Sequence, residues 1–458
     1  MTEIEIQQIL ARQQKYFLEG KTLPYETRME ALIRLEEAVR SRMDAICDAL
    51  RLDLGKGKVE SYTCEIALLL GEIRYMKKNL RKLMAPREAK TALFQMPARC
   101  MQLPSPYGNV LIMSPWNYPF LLTLEPLVDA LAAGNTAIVK PSAYAPASMA
   151  EMQRILQDSF PEELVFTVTG GRAENQALLR QSFDKVFFTG SKNVGREVLR
   201  SQADHLTPVA LELGGKSPVI VDRTADLAIT ARRIVFGKFI NCGQTCVAPD
   251  YVLCPADLQK PLAEALREEI RKQYGKTPLK NRNYAHMINE KHYNRVKALI
   301  DPAKTVIGGS WEDRTLHIAP TVMLHVSWED PVMQEEIFGP VLPILDCETV
   351  EDAIQAVNRR PQPLALYIFS QDRKAIETVL ERCRFGGGCI NDTLLHLATS
   401  NMPFGGVGES GMGCYHGKAG FEEFSHLRSV VDKAIRPDPK FRYAPYPKAT
   451  EEFLKKFL

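Results

Sequence analysis

Residues 108–142, GNVLIMSPWNYPFLLTLEPLVDALAAGNTAIVKPS, carry the pattern that decides the fold. NVLIMSP is a short continuous apolar run that stops at a proline. LTLEPLVDALAAG follows, with Glu125 and Asp129 at helical spacing and Gly134 as its stop, and TAIVKPS is a second apolar run. Strands covered on both faces read as unbroken apolar runs, so two of them around a helix predict one unit of a parallel sheet.

The same texture extends outward. Downstream come a helix over 146–157, the run LVFTVTGG, a helix around 173–182 and the run DKVFFTGS. Alternation of strand and helix with short connections is the signature of a doubly wound sheet. After Glu212 a second set begins: SPVIVD, a helix through 225–240, YVLCP, a helix over 257–274, then mixed elements to about residue 400. The first 85 residues are helical in spacing, with Met29, Leu32, Leu35 and Val39 on one stripe. Residues 91–105 read as a hairpin or extended arm, the glycine-rich GGVGESGMGCYHG as loop, and RSVVDKAI as a last strand.

Composition narrows the function. The 458 residues are 45% hydrophobic and 25% charged, values of an ordinary globular chain rather than a disordered one. Lys plus Arg (58) against Asp plus Glu (55) leaves +3, with no basic stripe to hold a nucleic acid. No stretch approaches the roughly 20 apolar residues of a membrane span. MTEIEIQQILARQQ lacks the basic start and apolar core of a signal peptide, and EEFLKKFL is too short for an anchor. A cytoplasmic protein without a membrane anchor is expected. The ten cysteines are scattered rather than arranged as a disulfide framework. Cys242 and Cys246 lack a second Cys or His pair for zinc, so no metal is expected.

Three familiar motifs fail on context. Gly406, Gly408 and Gly411 match G-x-G-x-x-G but no strand precedes them and no strong helix opens there. GGKS at 214–217 lacks the first glycine of a phosphate loop, and Met412 spoils a nucleophile elbow around Ser410.

Other segments carry chemistry. FINCGQTCVAPD (239–250) sets two thiols among small polar residues, either as a buried inert pair or as a loop whose N–H groups favour a thiolate. ELGGKSP (212–218) puts Glu212 at a strand end before two glycines that admit a flat ring. PWNYP (115–119) holds Asn117 in a stiff loop, an amide suited to an oxyanion. VKPS places Lys140 at the end of a buried strand, where doubly wound folds bind ligands. KVFFTGSKNVG (185–195) passes from strand to helix between Gly190 and Gly195, a cradle for a diphosphate. EEIFGPV adds Glu336 and Phe338.

In this order the motifs resemble the aldehyde dehydrogenase superfamily, most closely its short, class 3-like branch that includes fatty aldehyde dehydrogenases. The resemblance runs from about residue 60 to about 430 and is most specific in GKFINCGQTCVAPDYVLC and PFGGVGESGMGCYHGKAGFEEFSH. It implies NAD(P)-dependent oxidation of an aldehyde to a carboxylic acid. Cys246 would be the nucleophile, Asn117 and the Cys246 N–H the oxyanion donors, and Glu212 the base that hydrolyses a thioester. Lys140 and Glu336 would contact the cofactor riboses and Phe338 support the nicotinamide end. Gly190, Ser191 and Gly195 would take the diphosphate, with Trp116 and Gly214 beside them. His396 and His416 read as structural. Ala143 stands where members preferring NAD often carry Glu, and Lys192 adds charge near the phosphates, so NADP should be accepted as well as NAD.

The implied fold is α/β: a doubly wound, Rossmann-like cofactor domain (1–85 and 107–211) and a second α/β catalytic domain (212–400). A small β oligomerisation arm (86–106 and 401–458) would pair a homodimer. Two rivals remain, a CoA-acylating reductase, which would usually lack Glu212, and a silent binding protein on the same scaffold.

Overall fold

The computed structural model describes residues 1–438, 442–446, 451–452 and 455. The parts of the expected arm at 439–441, 447–450, 453–454 and 456–458 lie outside the described residues.

The opening stretch forms the two runs and the helix that its pattern predicts: strands Asn109–Met113 and Thr136–Lys140 around helix Leu121–Ala133. Every residue of the two strands is buried, which is why neither alternates. Gly134 closes the helix at φ 94°, a left-handed position that a side chain resists. These strands belong to a six-stranded sheet. Its order is Gly411–Met412, Val209–Glu212, Lys185–Thr189, Asn109–Met113, Thr136–Lys140, Val165–Thr167. The chain winds one way from Asn109–Met113 to Val165–Thr167, then returns to the other side of its first strand. The switch point therefore lies between Asn109–Met113 and Lys185–Thr189, where such sheets open a crevice at the strands' carboxyl ends. Parallel register aligns those ends, with Met113 opposite Lys140 and Phe188, and Thr189 opposite Glu212.

Helices Glu3–Leu18, Tyr25–Ser41, Met43–Leu54 and Ala67–Met84 account for most of the first 85 residues. Leu32, Leu35, Val39, Ile73 and Met76 are wholly buried and join the strand side chains in one core. A second sheet of seven strands runs Thr305–Ile307, Thr321–Met323, Val341–Asp346, Tyr251–Cys254, Pro218–Val221, Ala365–Phe369, Gly387–Ile390. It is parallel except at the edge strand Thr305–Ile307.

The arm is a three-stranded antiparallel sheet of Arg87–Ala89, Ala98–Pro106 and Ser425–Lys433. Ala98 pairs with Lys433 and Pro106 with Ser425, so the last two strands zip along nine residues. The glycine-rich segment departs from the expected loop and from the arm. Gly411–Met412 adds an antiparallel strand to the cofactor sheet, Gly411 facing Glu212. Helix Gly417–Glu423 then packs on the cofactor-domain helices, with Phe421 and Phe424 fully buried. Glycine hides this packing in the sequence while making it possible. A Cβ on Gly411 would strike the Leu211 carbonyl, and one on Gly420 the Asp129 carboxylate.

Candidate active site

The carboxyl edge of the six-stranded sheet faces the second domain across a crevice of about 650 Å³. Three loops descend from that edge. Ser114–Asn117 follows the strand Asn109–Met113, Gly190–Ser191 the strand Lys185–Thr189, and Leu213–Gly215 the strand Val209–Glu212. The second domain contributes the cysteine loop and the EEIFGP loop.

The cysteine loop leaves helix Leu227–Phe239 through three successive left-handed residues, Asn241 (φ 52°), Cys242 (φ 54°) and Gly243 (φ 72°). Gly243 is obligatory, because a Cβ would strike the Gly339 carbonyl of the EEIFGP loop. The two other residues hold a conformation that L side chains resist, and such strain persists only where surroundings fix it. Here Gln244 does much of the fixing. Its amide donates to the Asn241 and His286 carbonyls (both 3.0 Å) and accepts from the Ile288 N–H at 3.0 Å. Asn241 Nδ2 reaches the Asn117 carbonyl at 2.8 Å, and Asn117 Nδ2 donates to the Gln244 carbonyl at 3.0 Å. Asn117 is thus tied to the cysteine loop from both its backbone and its side chain.

The PWNYP loop is pinned from beneath by a buried ion pair. Lys56 Nζ lies 2.5 Å from Glu65 Oε1, both side chains at 0% exposure, and also donates to the Asn117 carbonyl at 2.8 Å. Glu65 Oε2 accepts the Phe120 and Leu121 N–H groups at 2.9 and 3.3 Å. Those N–H groups begin helix Leu121–Ala133, where a carboxylate is favoured. The EEIFGP loop is held similarly. Asp250 accepts from Lys216 Nζ at 2.5 Å and from the Ile337 N–H at 2.9 Å, while Arg295 donates to the Glu336 and Ile337 carbonyls at 3.2 and 2.6 Å.

Cys246, Glu212, Asn117, Trp116, Gly190, Ser191, Gly214, Glu336 and Phe338 all line the crevice, as does Lys192. Lys140 and Gly195, proposed with them from the sequence, are not among its lining residues. Lys140 is buried and its Nζ turns back to the Pro141 carbonyl at 2.8 Å. Gly195 lets helix Lys192–Ala203 lie against the side chain of Leu213. Cys242 is fully buried with its thiol 3.6 Å from the Tyr284 hydroxyl. Of the two thiols only Cys246 faces the crevice. His416 Nε2 lies 3.4 Å from Glu125 Oε1 and His396 Nδ1 lies 3.6 Å from Cys389 Sγ, both away from the crevice wall.

The electrostatics favour proton storage. Burial pushes the Cys246 thiol far above its ordinary value, and the Glu336 and Glu212 carboxylates add to the rise. The backbone N–H groups of Cys246 and Val247 oppose them. Burial, reinforced by Glu423, also holds the Glu212 carboxyl well above the carboxylate range, and among the described residues neither of its oxygens has a hydrogen-bond partner. Glu336 is lifted to about 8 by burial, with Asp250 adding and the Gly215 N–H opposing. A carboxyl held above the carboxylate range, lining the same crevice as a thiol, is suited to taking and returning a proton.

Reading the sequence missed several supports. Lys216 and Asp250 sit inside motifs already quoted, so their presence was visible but their pairing was not. Gln244 likewise sits inside the cysteine motif, whereas Arg295, Lys56 and Glu65 carry no local signal, because each acts on a loop distant in the chain.

The comparisons with known proteins agree with this geometry. The profile of the aldehyde dehydrogenase family matches residues 1–430. The chain belongs to the aldehyde dehydrogenase family. It is similar to a 4,4'-diaponeurosporen-aldehyde dehydrogenase of Staphylococcus aureus, 43% identical over 97% of each chain. It is also similar to a rat aldehyde dehydrogenase named dimeric and NADP-preferring, 42% identical over 96% of this chain and 98% of that one. Its fold superposes on a substrate-bound Staphylococcus aureus AldH with a TM-score of 0.97 at 42% identity, over 99% of each chain. Aldehyde dehydrogenases oxidise aldehydes with NAD or NADP through a covalent intermediate on cysteine, and this chain is such an oxidoreductase. The expected α/β fold is the one observed.

The crevice fits the dinucleotide of the family. Ser191 makes no side-chain cap to helix Lys192–Ala203, leaving that helix's first N–H groups open toward the crevice, where a diphosphate is favoured. Glu336 lies so close to Gly214 that a Cβ there would strike it, so glycine leaves the carboxylate room at the crevice wall. Phe338 stands edge-on to Trp116 at 5.5 Å and stiffens the inner end. When bound, the nicotinamide supplies the hydride acceptor.

Proposed function

We propose that Cys246 is the nucleophile, Asn117 and the Cys246 N–H the oxyanion donors, and Glu212 the hydrolytic base. The observation that carries the reading is the meeting of these three side chains, from two loops and a strand end, in one crevice. The thiol passes its proton to the Glu212 carboxylate, which returns it to solvent, and its sulfur adds to the aldehyde carbon; the oxyanion so formed is met by the Asn117 amide. Oxidation of the adduct leaves a thioester on Cys246. Glu212, with no other partner for its oxygens among the described residues, accepts a proton from water as that water attacks, and the carboxylic acid leaves. The same carboxylate disfavours transfer of the acyl group to CoA.

Several finer features follow the same reading. The Glu of members preferring NAD is replaced by Ala143, and Lys192 lies at the crevice, which supports acceptance of NADP. Lys192 is paired with Glu409 at 3.1 Å, which moderates its charge. Aliphatic and aromatic aldehydes of medium or long reach suit a crevice lined by Leu122, Trp116 and Phe338, and the Staphylococcus aureus relative is named for 4,4'-diaponeurosporen-aldehyde. Among the described residues no strand pairs with the outer edge of Ser425–Lys433, which exposes Val430 and Val431, and this supports a homodimer formed by strand addition. All ten cysteines are unpaired, in keeping with a reducing cytoplasm.

Cys246→Ser should abolish aldehyde oxidation, and iodoacetamide should label the Cys246 peptide of the wild type more slowly when NADP is bound. Full turnover by that variant would end this reading, and stoichiometric labelling without turnover on any aldehyde of a broad panel would favour the silent scaffold.

A further inference from the structure

We propose that Glu60 is a positioning residue for the nucleophile: its carboxylate holds the backbone N–H of Asn241 and so fixes the turn that presents Cys246. The inference rests on Cys246 being the nucleophile. Glu60 Oε1 accepts the Asn241 N–H at 2.9 Å, across 181 residues of chain. Asn241 is the first of the three left-handed residues, so this bond closes the turn where the strain begins. The other bonds at Asn241 are between neutral groups: its side chain donates to the Asn117 and Gln244 carbonyls at 2.8 and 3.1 Å, and its carbonyl accepts from the Gln244 side-chain amide at 3.0 Å. Glu60 supplies the charged contact, and charge-assisted hydrogen bonds are the stronger kind. Releasing it would free the turn, and through Asn241 also the carbonyl of Asn117.

Glu60 is placed for this by its own local fold. It lies in the short helix Lys58–Ser61, which passes into a π-helical turn over Tyr62–Ile66. Such wide turns shift the side chains around them and recur at functional sites. The groups facing Glu60 are Lys56, Cys64 and Glu65 from its own segment, Cys242 from the cysteine turn, and Tyr118, Tyr274 and Tyr284 from surrounding elements. Burial lifts its carboxyl to about 7, with Lys56 opposing the rise. The clamp is therefore charged above neutrality and loses its charge as the pH falls through that value. Cys246 becomes less well presented in acid for a reason unrelated to its own ionisation.

The test compares wild type, Glu60→Gln and Glu60→Ala in kcat/KM from pH 5.5 to 9, with Cys246→Ser as control. Glu60→Gln keeps an acceptor oxygen that cannot be protonated. Having no charge to lose, it should lie about threefold to tenfold below wild type at pH 8, near the level to which wild type falls in acid, and lack the part of the wild-type fall in kcat/KM that is centred near pH 7. Glu60→Ala should lower kcat/KM and the iodoacetamide labelling rate of the Cys246 peptide together by about tenfold to hundredfold, the range for losing a hydrogen bond to a charged group. Its calorimetric Kd for NADPH should not change. The proposal is overturned if Glu60→Ala labels and turns over like wild type, or if Glu60→Gln keeps the wild-type acid limb. It is equally overturned if both variants lose NADPH binding along with turnover, since the defect is then general. An active Cys246→Ser would instead remove the underlying reading of the nucleophile.

Discussion

Replacing Glu212 with glutamine separates what this side chain costs from what it does. The residue ends the strand Val209–Glu212, is 3% exposed, and among the described residues has no hydrogen-bond partner for either oxygen. In the unfolded chain its carboxyl ionises near 4.5, whereas burial holds it well above that in the folded protein. Between those two pH values the native state binds the extra proton. A raised native pKa therefore gives stability that is complete below the unfolded value and is lost as pH climbs through the window. One proton corresponds to a slope of at most about 1.4 kcal/mol per pH unit. Glutamine abolishes that contribution, so the variant's urea-unfolding free energy should fall less steeply with pH than that of wild type between pH 5 and 8. Steady-state kcat should drop by about 10²–10⁴, the usual worth of a general base. Stopped-flow traces should still show one rapid equivalent of reduced cofactor per active site, because solvent can take the thiol proton in the variant, whereas discharge of the thioester needs the base. Superimposable pH slopes, or a first turnover slowed as much as later ones, would refute the reasoning.

Two other perturbations test the scaffold and the cofactor end. Lys56→Met leaves Glu65 buried without its cation and should lower unfolding stability by about 3–5 kcal/mol, with Lys56→Met/Glu65→Gln recovering at least half; urea midpoints that barely move would show the pair to be idle. Wild-type kcat/KM for NAD and NADP should lie within about a hundredfold, roughly 2.7 kcal/mol. Ala143→Glu should shift the ratio toward NAD and Glu409→Gln, by freeing Lys192, toward NADP; a wild-type preference for NAD beyond that limit would refute the expectation.

Much of the catalytic set was legible because it sits at strand ends inside compact motifs. Glu212, Gly190 and Asn117 each follow or end an apolar run, and in a doubly wound sheet those positions converge. Cys246 was legible from its loop and from family resemblance, but the choice between it and Cys242 became physical only when one thiol faced the crevice and the other packed against Tyr284. Lys140 also ends a strand, yet its amine folds onto the Pro141 carbonyl, because position along a strand does not fix where a long side chain turns. The strand at Gly411–Met412 was invisible because glycine, which signals a turn in sequence, also permits the closest backbone approaches.

The order of apolar runs, helix stops and loop residues by itself determined that the chain would build two α/β units and carry a thiol, a carboxylate and an amide at their edges. Periodicity is a local property, so it survives in the sequence. Only the tertiary structure decided how those edges are held, through Lys56 with Glu65, Lys216 with Asp250, and Glu60 with the Asn241 N–H. These partners lie far apart in the chain, and a buried charge declares its purpose only when its counterpart arrives beside it.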